Sequence, residues 1–158
     1  MDLSFGVVNI IKPNLAEVII NENITFDVRM VKQYHEALIN NLTAPFDLLI
    51  NKLNYYNYSP AARTEIGSIP QINKMGVVNY DVKTVDITKD LIKSPRNKSW
   101  NIKLFNNRAA ALKWLTQDSS LCVSQILSYL EEREYYTREE RSELRKYFRG
   151  ELRKKSIL

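Results

Sequence analysis

The sequence is poor in the residues on which most site chemistry depends. Cys122 is its only cysteine, so no disulfide framework exists and no redox compartment is imposed. His35 is the only histidine. A histidine metal cluster is excluded, and a Ser-His or Cys-His triad could be built only through that one residue. The four glycines, Gly6, Gly67, Gly76 and Gly150, are scattered, so no glycine-rich loop cradles a phosphate. Long apolar runs are lacking too, and no stretch is suited to span a bilayer. The start lacks the basic region of a signal peptide: Asp2 stands there, and Lys12-Pro13 interrupts the apolar run that follows. The expectation is a cytoplasmic protein that is not an enzyme, with no cofactor and no metal.

Hydrophobic residues make up 44% and charged residues 26%, an ordinary globular mix with enough length for one domain and an appendage. The net charge of +5 is unevenly placed. Residues 137–158 hold 8 Lys/Arg against 4 Asp/Glu, whereas residues 1–136 hold 15 against 14. An electrostatic partner would therefore meet the tail.

Taken in order, the chain alternates strand and helix. Phe5–Ile11 and Leu15–Ile20 are apolar, β-branched runs separated by Lys12-Pro13-Asn14, which predicts an antiparallel hairpin. Phe26–Leu42 carries Val28, Val31, Ala37, Leu38 and Leu42 at helical spacing, with Thr25 as the expected N-cap. Phe46–Leu53 predicts a strand with two apolar faces, central in its sheet. Ser59 and Pro60 then mark a helix start running to about Gly67. Met75–Tyr80 predicts a strand and Val82–Ile92 a helix capped by Asp81. Trp100–Phe105 predicts a strand, and Arg108–Thr116 a helix capped by Asn106 or Asn107. The order β-β-α-β-α-β-α-β-α predicts a sheet whose later strands are parallel. After Gln117 the pattern changes to two helical segments. Leu121–Glu134 carries one apolar side, and a second helix opens with a capping box from Thr137 to Glu140. Tyr135-Tyr136 forms the corner of the resulting helical hairpin.

This element order resembles the STAS domain, the fold of bacterial anti-sigma-factor antagonists and of the cytoplasmic parts of sulfate transporters. Closest in character are small bacterial proteins described as STAS or CRAL-TRIO-like. There a strand such as FDLLINKL leads through an Asn/Tyr-rich loop into a Ser/Pro-opened helix, here NYYNYSPAA. The resemblance covers residues 3–116. It implies an α/β fold with a four- to five-stranded mixed sheet over residues 1–117, and a helical extension over 118–158. It also implies a non-enzymatic regulatory module that binds a protein partner. In antagonist proteins the corresponding helix opens at a phosphorylatable serine; Ser59 holds that position, between Tyr58 and Pro60.

Two surfaces are candidates for function. One is the lip formed by Asn54, Tyr55, Tyr56, Tyr58, Ser59 and Arg63. Aromatic faces there surround a helix N-terminus, whose free N–H groups attract negative charge. The competing structural reading is a capped helix with tyrosines covering the sheet edge. A crevice at this loop that takes a small ligand or lipid is an alternative function. The other surface is the basic stripe of Arg138, Arg141, Arg145, Arg149 and Arg153. Its like-charge i,i+4 pairs repel by a few tenths of a kcal/mol each. Nucleic acid or anionic membrane headgroups would offset that repulsion. So would acids on the facing helix or in a second subunit, and this structural reading is the favoured one. The apolar stripe of Leu144, Phe148 and Leu152 suggests a homodimer through residues 119–155.

Overall fold

The computed structural model describes residues 1–117. The helical hairpin, the basic stripe and the dimer surface foreseen for the tail lie outside the described residues. The described residues form an α/β structure around a mixed sheet of six strands. That is more than the four to five expected, because Asp2–Leu3 (β1) adds a short outer strand, antiparallel to Gly6–Lys12 (β2).

β2 pairs antiparallel with Leu15–Ile20 (β3), as the Pro13-Asn14 turn predicts. Phe46–Lys52 (β5), Ile72–Asn79 (β7) and Ile102–Phe105 (β8) then add in parallel, each beside the one before. The two remaining strands, Thr25–Phe26 (β4) and Asn57–Tyr58 (β6), form a separate parallel pair.

Helices Val28–Asn41 (α1), Pro60–Glu65 (α2) and Val82–Ile92 (α3) connect the parallel strands. Each connection steps to the next strand in the same direction, so crossovers of one hand bring all three helices to one face. Their inward residues, among them Tyr34, Leu38, Ala62 and Leu91, share a core with Val18, Leu48 and Met75 of the sheet. Arg108–Thr116 (α4) follows the last strand and lies on the opposite face, where Ala111, Leu112 and Leu115 pack with Leu49 and Val78. Leu48 and Leu49 are both fully buried, one on each face. β5 is therefore the central strand that its doubly apolar sequence predicts. Gly76 lets α4 approach: a Cβ there would stand 3.2 Å from a methyl carbon of Leu115.

Helix caps follow the sequence with one exception. Ser59, Asp81 and Asn107 each accept a backbone N–H three residues on. The first helix, however, is capped by Asp27, whose Oδ1 accepts from Met30 N at 2.7 Å, not by Thr25. Thr25 and Phe26 are drawn instead into the pairing with Asn57 and Tyr58, and Asp is the stronger cap of the two. The second helix stops at Glu65, two residues short of Gly67, whose φ of 70° is left-handed and suits glycine at a helix end.

Candidate functional site

The carboxyl ends of parallel strands are where open α/β sheets hold ligands, because the loops leaving them are free to diverge. In this chain that edge gathers Asn51 and Lys52 at the end of β5, Asn79 at the end of β7, and the loop from Leu53 to Tyr58. The loop is not a free lip. Asn54 donates from Nδ2 to the Ile20 carbonyl at 2.8 Å, and Tyr55 N donates to the Glu22 carboxylate at 2.9 Å. Asn23 N donates to the Tyr55 carbonyl at 2.8 Å, and Asn57 N to the Ile24 carbonyl at 2.9 Å. Arg63 reaches back to Asn57 Oδ1 at 3.2 Å. The Asn-rich composition is thus used to stitch the loop to residues 20–26.

The three tyrosines separate. Tyr55 is exposed, whereas Tyr56 and Tyr58 are buried. Both turn their rings into an aromatic cluster centred on Phe26, at 6.0 and 5.6 Å between ring centroids. Tyr34 of α1 joins the cluster at 6.3 Å from Phe26. Of the six lip residues foreseen, Tyr55 faces solvent, and Asn54, Ser59 and Arg63 are half-buried. Ser59 uses its Oγ to accept from Ala62 N at 3.1 Å.

Sequence reading did not single out Lys52, yet it occupies the most unusual setting. Only 4% of it is exposed. Its Nζ lies 4.8 Å from the Tyr56 ring centroid and 5.6 Å from that of Tyr58. Burial pulls its pKa down to about 8, with the Asp81 carboxylate opposing. Burial also pushes the phenols up: Tyr58 to about 12, tempered by its hydrogen bond with Tyr56 and by Arg63, and Tyr34 and Tyr56 in the same direction. These residues, with Thr88 and Trp100, line a cavity of about 50 Å³ between the sheet and helices α1 to α3.

A second buried polar group lies on the α4 face. Glu17 of β3 and Arg108 of α4, both essentially inaccessible, form a two-pronged ion pair with N–O distances of 2.7 and 2.8 Å. Asn51 Nδ2 donates to the same carboxylate at 2.8 Å, and the Tyr80 hydroxyl donates to Asn51 Oδ1 at 3.0 Å. The pair offered only faint signals in sequence: an acid inside the apolar run LAEVII, and a cation in the first turn of a helix, where the dipole disfavours it.

His35, half-buried on α1, accepts from Gly67 N through Nε2 at 3.1 Å, a bond that needs the neutral ring. Burial, helped by Arg96 and opposed by Glu65, lowers its pKa below the ordinary 6.5. The unfolded chain therefore binds this proton more readily than the folded one. The stability His35 contributes is complete above about pH 6.5 and is lost as pH falls from there through the lower folded value. Urea unfolding at pH 7.5 and 5.5 is expected to show lower stability at 5.5, with a smaller difference for His35→Gln; an equal difference in both proteins would dissociate the effect from His35.

Among the described residues no three His, Cys, Asp or Glu side chains are grouped so as to hold a metal ion, and no helix is long and apolar enough to cross a membrane. No protein-family model, curated protein or solved structure matches the chain.

Proposed function

We propose that this chain is a non-enzymatic interaction module that docks another protein on the carboxyl-end rim of its sheet, in the manner of a STAS-like regulatory domain. The observation that carries the reading is a set of large apolar side chains left exposed at that edge. Lys52 and Asn79 are partners in the β5–β7 ladder, so Leu53 and Tyr80, which follow them, leave the sheet side by side. Both are exposed, as are Tyr55 and Val82, the last to 74%. Clustered exposed apolar groups mark interaction sites more than scattered ones do. Tyrosine suits such a role, having a broad ring, a polar tip and few rotamers to order. The stitched loop holds its backbone in place before a partner arrives, which lowers the ordering penalty of binding.

The STAS-like reading draws on the hairpin followed by parallel βα units, and on Ser59 capping the helix after β6. A phosphate on Ser59 would add up to two negative charges at the positive end of α2 and alter the same edge. The cavity favours a second reading, a small-ligand carrier. At about 50 Å³ it falls well below the roughly 300–1,000 Å³ of pockets for drug-sized ligands, which weighs against a lipid. Homodimerisation, or nucleic-acid or anionic-membrane binding through Arg138, Arg141, Arg145, Arg149 and Arg153, would rest on the tail.

The test is affinity capture from native extract, with mass spectrometry of bound proteins, followed by affinity measurements on variants. Tyr55→Asp with Val82→Asp, both exposed at the rim, is expected to abolish binding of the captured partner while leaving the thermal melt nearly unchanged. Full retention of the partner by that variant would overturn the rim as the docking surface. Ser59→Asp is expected to keep the fold, and Ser59→Ala to lose about 1 kcal/mol. Equal partner affinity for these two and the wild type would leave Ser59 as a structural cap alone.

A further inference from the structure

We propose that the cavity beside Lys52 binds a short-chain carboxylate, with the Lys52 ammonium as its counter-ion and the apolar lining holding its hydrocarbon end. A buried ammonium is normally matched by a carboxylate, since desolvating an unpaired charge is strongly unfavourable. Lys52 is 4% exposed, and no described residue forms a salt bridge with it. Its close neighbours are ring faces, Tyr56 at 4.8 Å and Tyr58 at 5.6 Å. Cation–π attraction compensates part of the lost hydration, and the Asp81 carboxylate, without an ion-pair contact to Lys52, adds a further attraction to the ammonium. An anion placed in the cavity that Lys52 lines would complete the pairing.

The surroundings select what kind of anion. Beyond Lys52, Thr88 and the tyrosines, the cavity is walled by aliphatic and aromatic side chains such as Val18, Ile50 and Val77. A ligand that is charged all over, such as phosphate, would leave oxygens against these walls without partners. A carboxylate on a short alkyl chain presents one charged end and one apolar end, as the lining does. Size sets the length. About 50 Å³ accommodates roughly three or four water-sized groups, close to the four heavy atoms of acetate, so propionate and butyrate mark the upper limit and a fatty acid is too long. Chloride of ordinary buffers, which cannot use the apolar wall, is expected to bind more weakly than such an acid.

The site lies behind the rim proposed for a protein partner, next to Leu53, but its test needs no partner and uses the full chain alone. Thermal melts at pH 7 with acetate, propionate and butyrate, each against sodium chloride of equal ionic strength, are expected to show a saturable rise in Tm for at least one acid. The Lys52 ammonium, followed by NMR, should titrate about one unit higher when propionate saturates the site, because a bound carboxylate favours the charged form. Lys52→Met should lose the carboxylate response, with at least a tenfold weaker apparent affinity. Val77→Leu, which adds one methylene to the lining, should shift preference from butyrate towards acetate and gives a readout that does not depend on the Lys52 variant. A wild-type response no larger than that to sodium chloride would overturn the proposal. So would an undiminished response in Lys52→Met, or no change in chain-length preference for Val77→Leu.

Discussion

Replacing Arg108 with methionine is expected to destabilise the folded chain by about 3–5 kcal/mol, the usual loss when one partner of a buried ion pair is removed. Arg108 makes two charge-assisted bonds to Glu17, at 2.7 and 2.8 Å, and both residues are essentially inaccessible to solvent. Without the guanidinium, the Glu17 carboxylate stays in the interior without a cation, and neutral donors such as Asn51 offset only part of the loss of its charge-assisted bonds. The double variant Glu17→Gln with Arg108→Met should recover a large part of the loss, since no ion is then left buried. Chemical denaturation of the wild type, both single variants and the double variant measures the coupling directly. A loss below about 1 kcal/mol for Arg108→Met would mean that water reaches Glu17 and that the pair is not the interior lock described here.

Leu49→Ala is expected to lose about 2–5 kcal/mol. Leu49 is fully buried at the centre of the sheet, among Val78, Ala111, Leu112 and Leu115. Truncation removes apolar contact and leaves a void between sheet and α4, and a helix anchored at one end by Arg108 has little freedom to collapse into it. Urea unfolding gives the number. A loss below roughly 1 kcal/mol would place Leu49 at a surface and contradict a strand covered on both faces.

The central strand was legible because its sequence carries the signal twice. FDLLINK sets Leu49 on the face opposite Leu48 and Ile50, and a strand that places large aliphatic side chains on both faces is one covered on both sides. The caps were legible for a related reason, since Ser59, Asp81 and Asn107 each precede a helical pattern and need nothing distant. The residues missed depend on contacts far along the chain. Thr25 reads locally as a cap, but its backbone pairs with residue 57. Tyr56 and Tyr58 read either as a binding lip or as cover for the sheet edge, and it is Phe26, distant in sequence, that draws their rings inward. Lys52 reads as the polar end of a strand, and nothing adjacent in sequence tells that aromatic rings enclose it. Glu17 and Arg108 stand 91 positions apart, beyond any periodicity.

That separation has a kinetic consequence. Along the sheet, β2, β3, β5, β7 and β8 are adjacent in the order in which they occur in the chain, so each pairing closes a loop of modest length onto structure already present. The Glu17–Arg108 contact closes the longest of these loops and requires α4 to be in place. Loop closure is entropically costly before contacts reward it, so this pair is expected to form after the main barrier, with a φ-value near zero. Its loss therefore falls on the unfolding rate and hardly on the folding rate. The pair then acts less as a part of the folding nucleus than as a latch that sets how long the folded chain survives between openings.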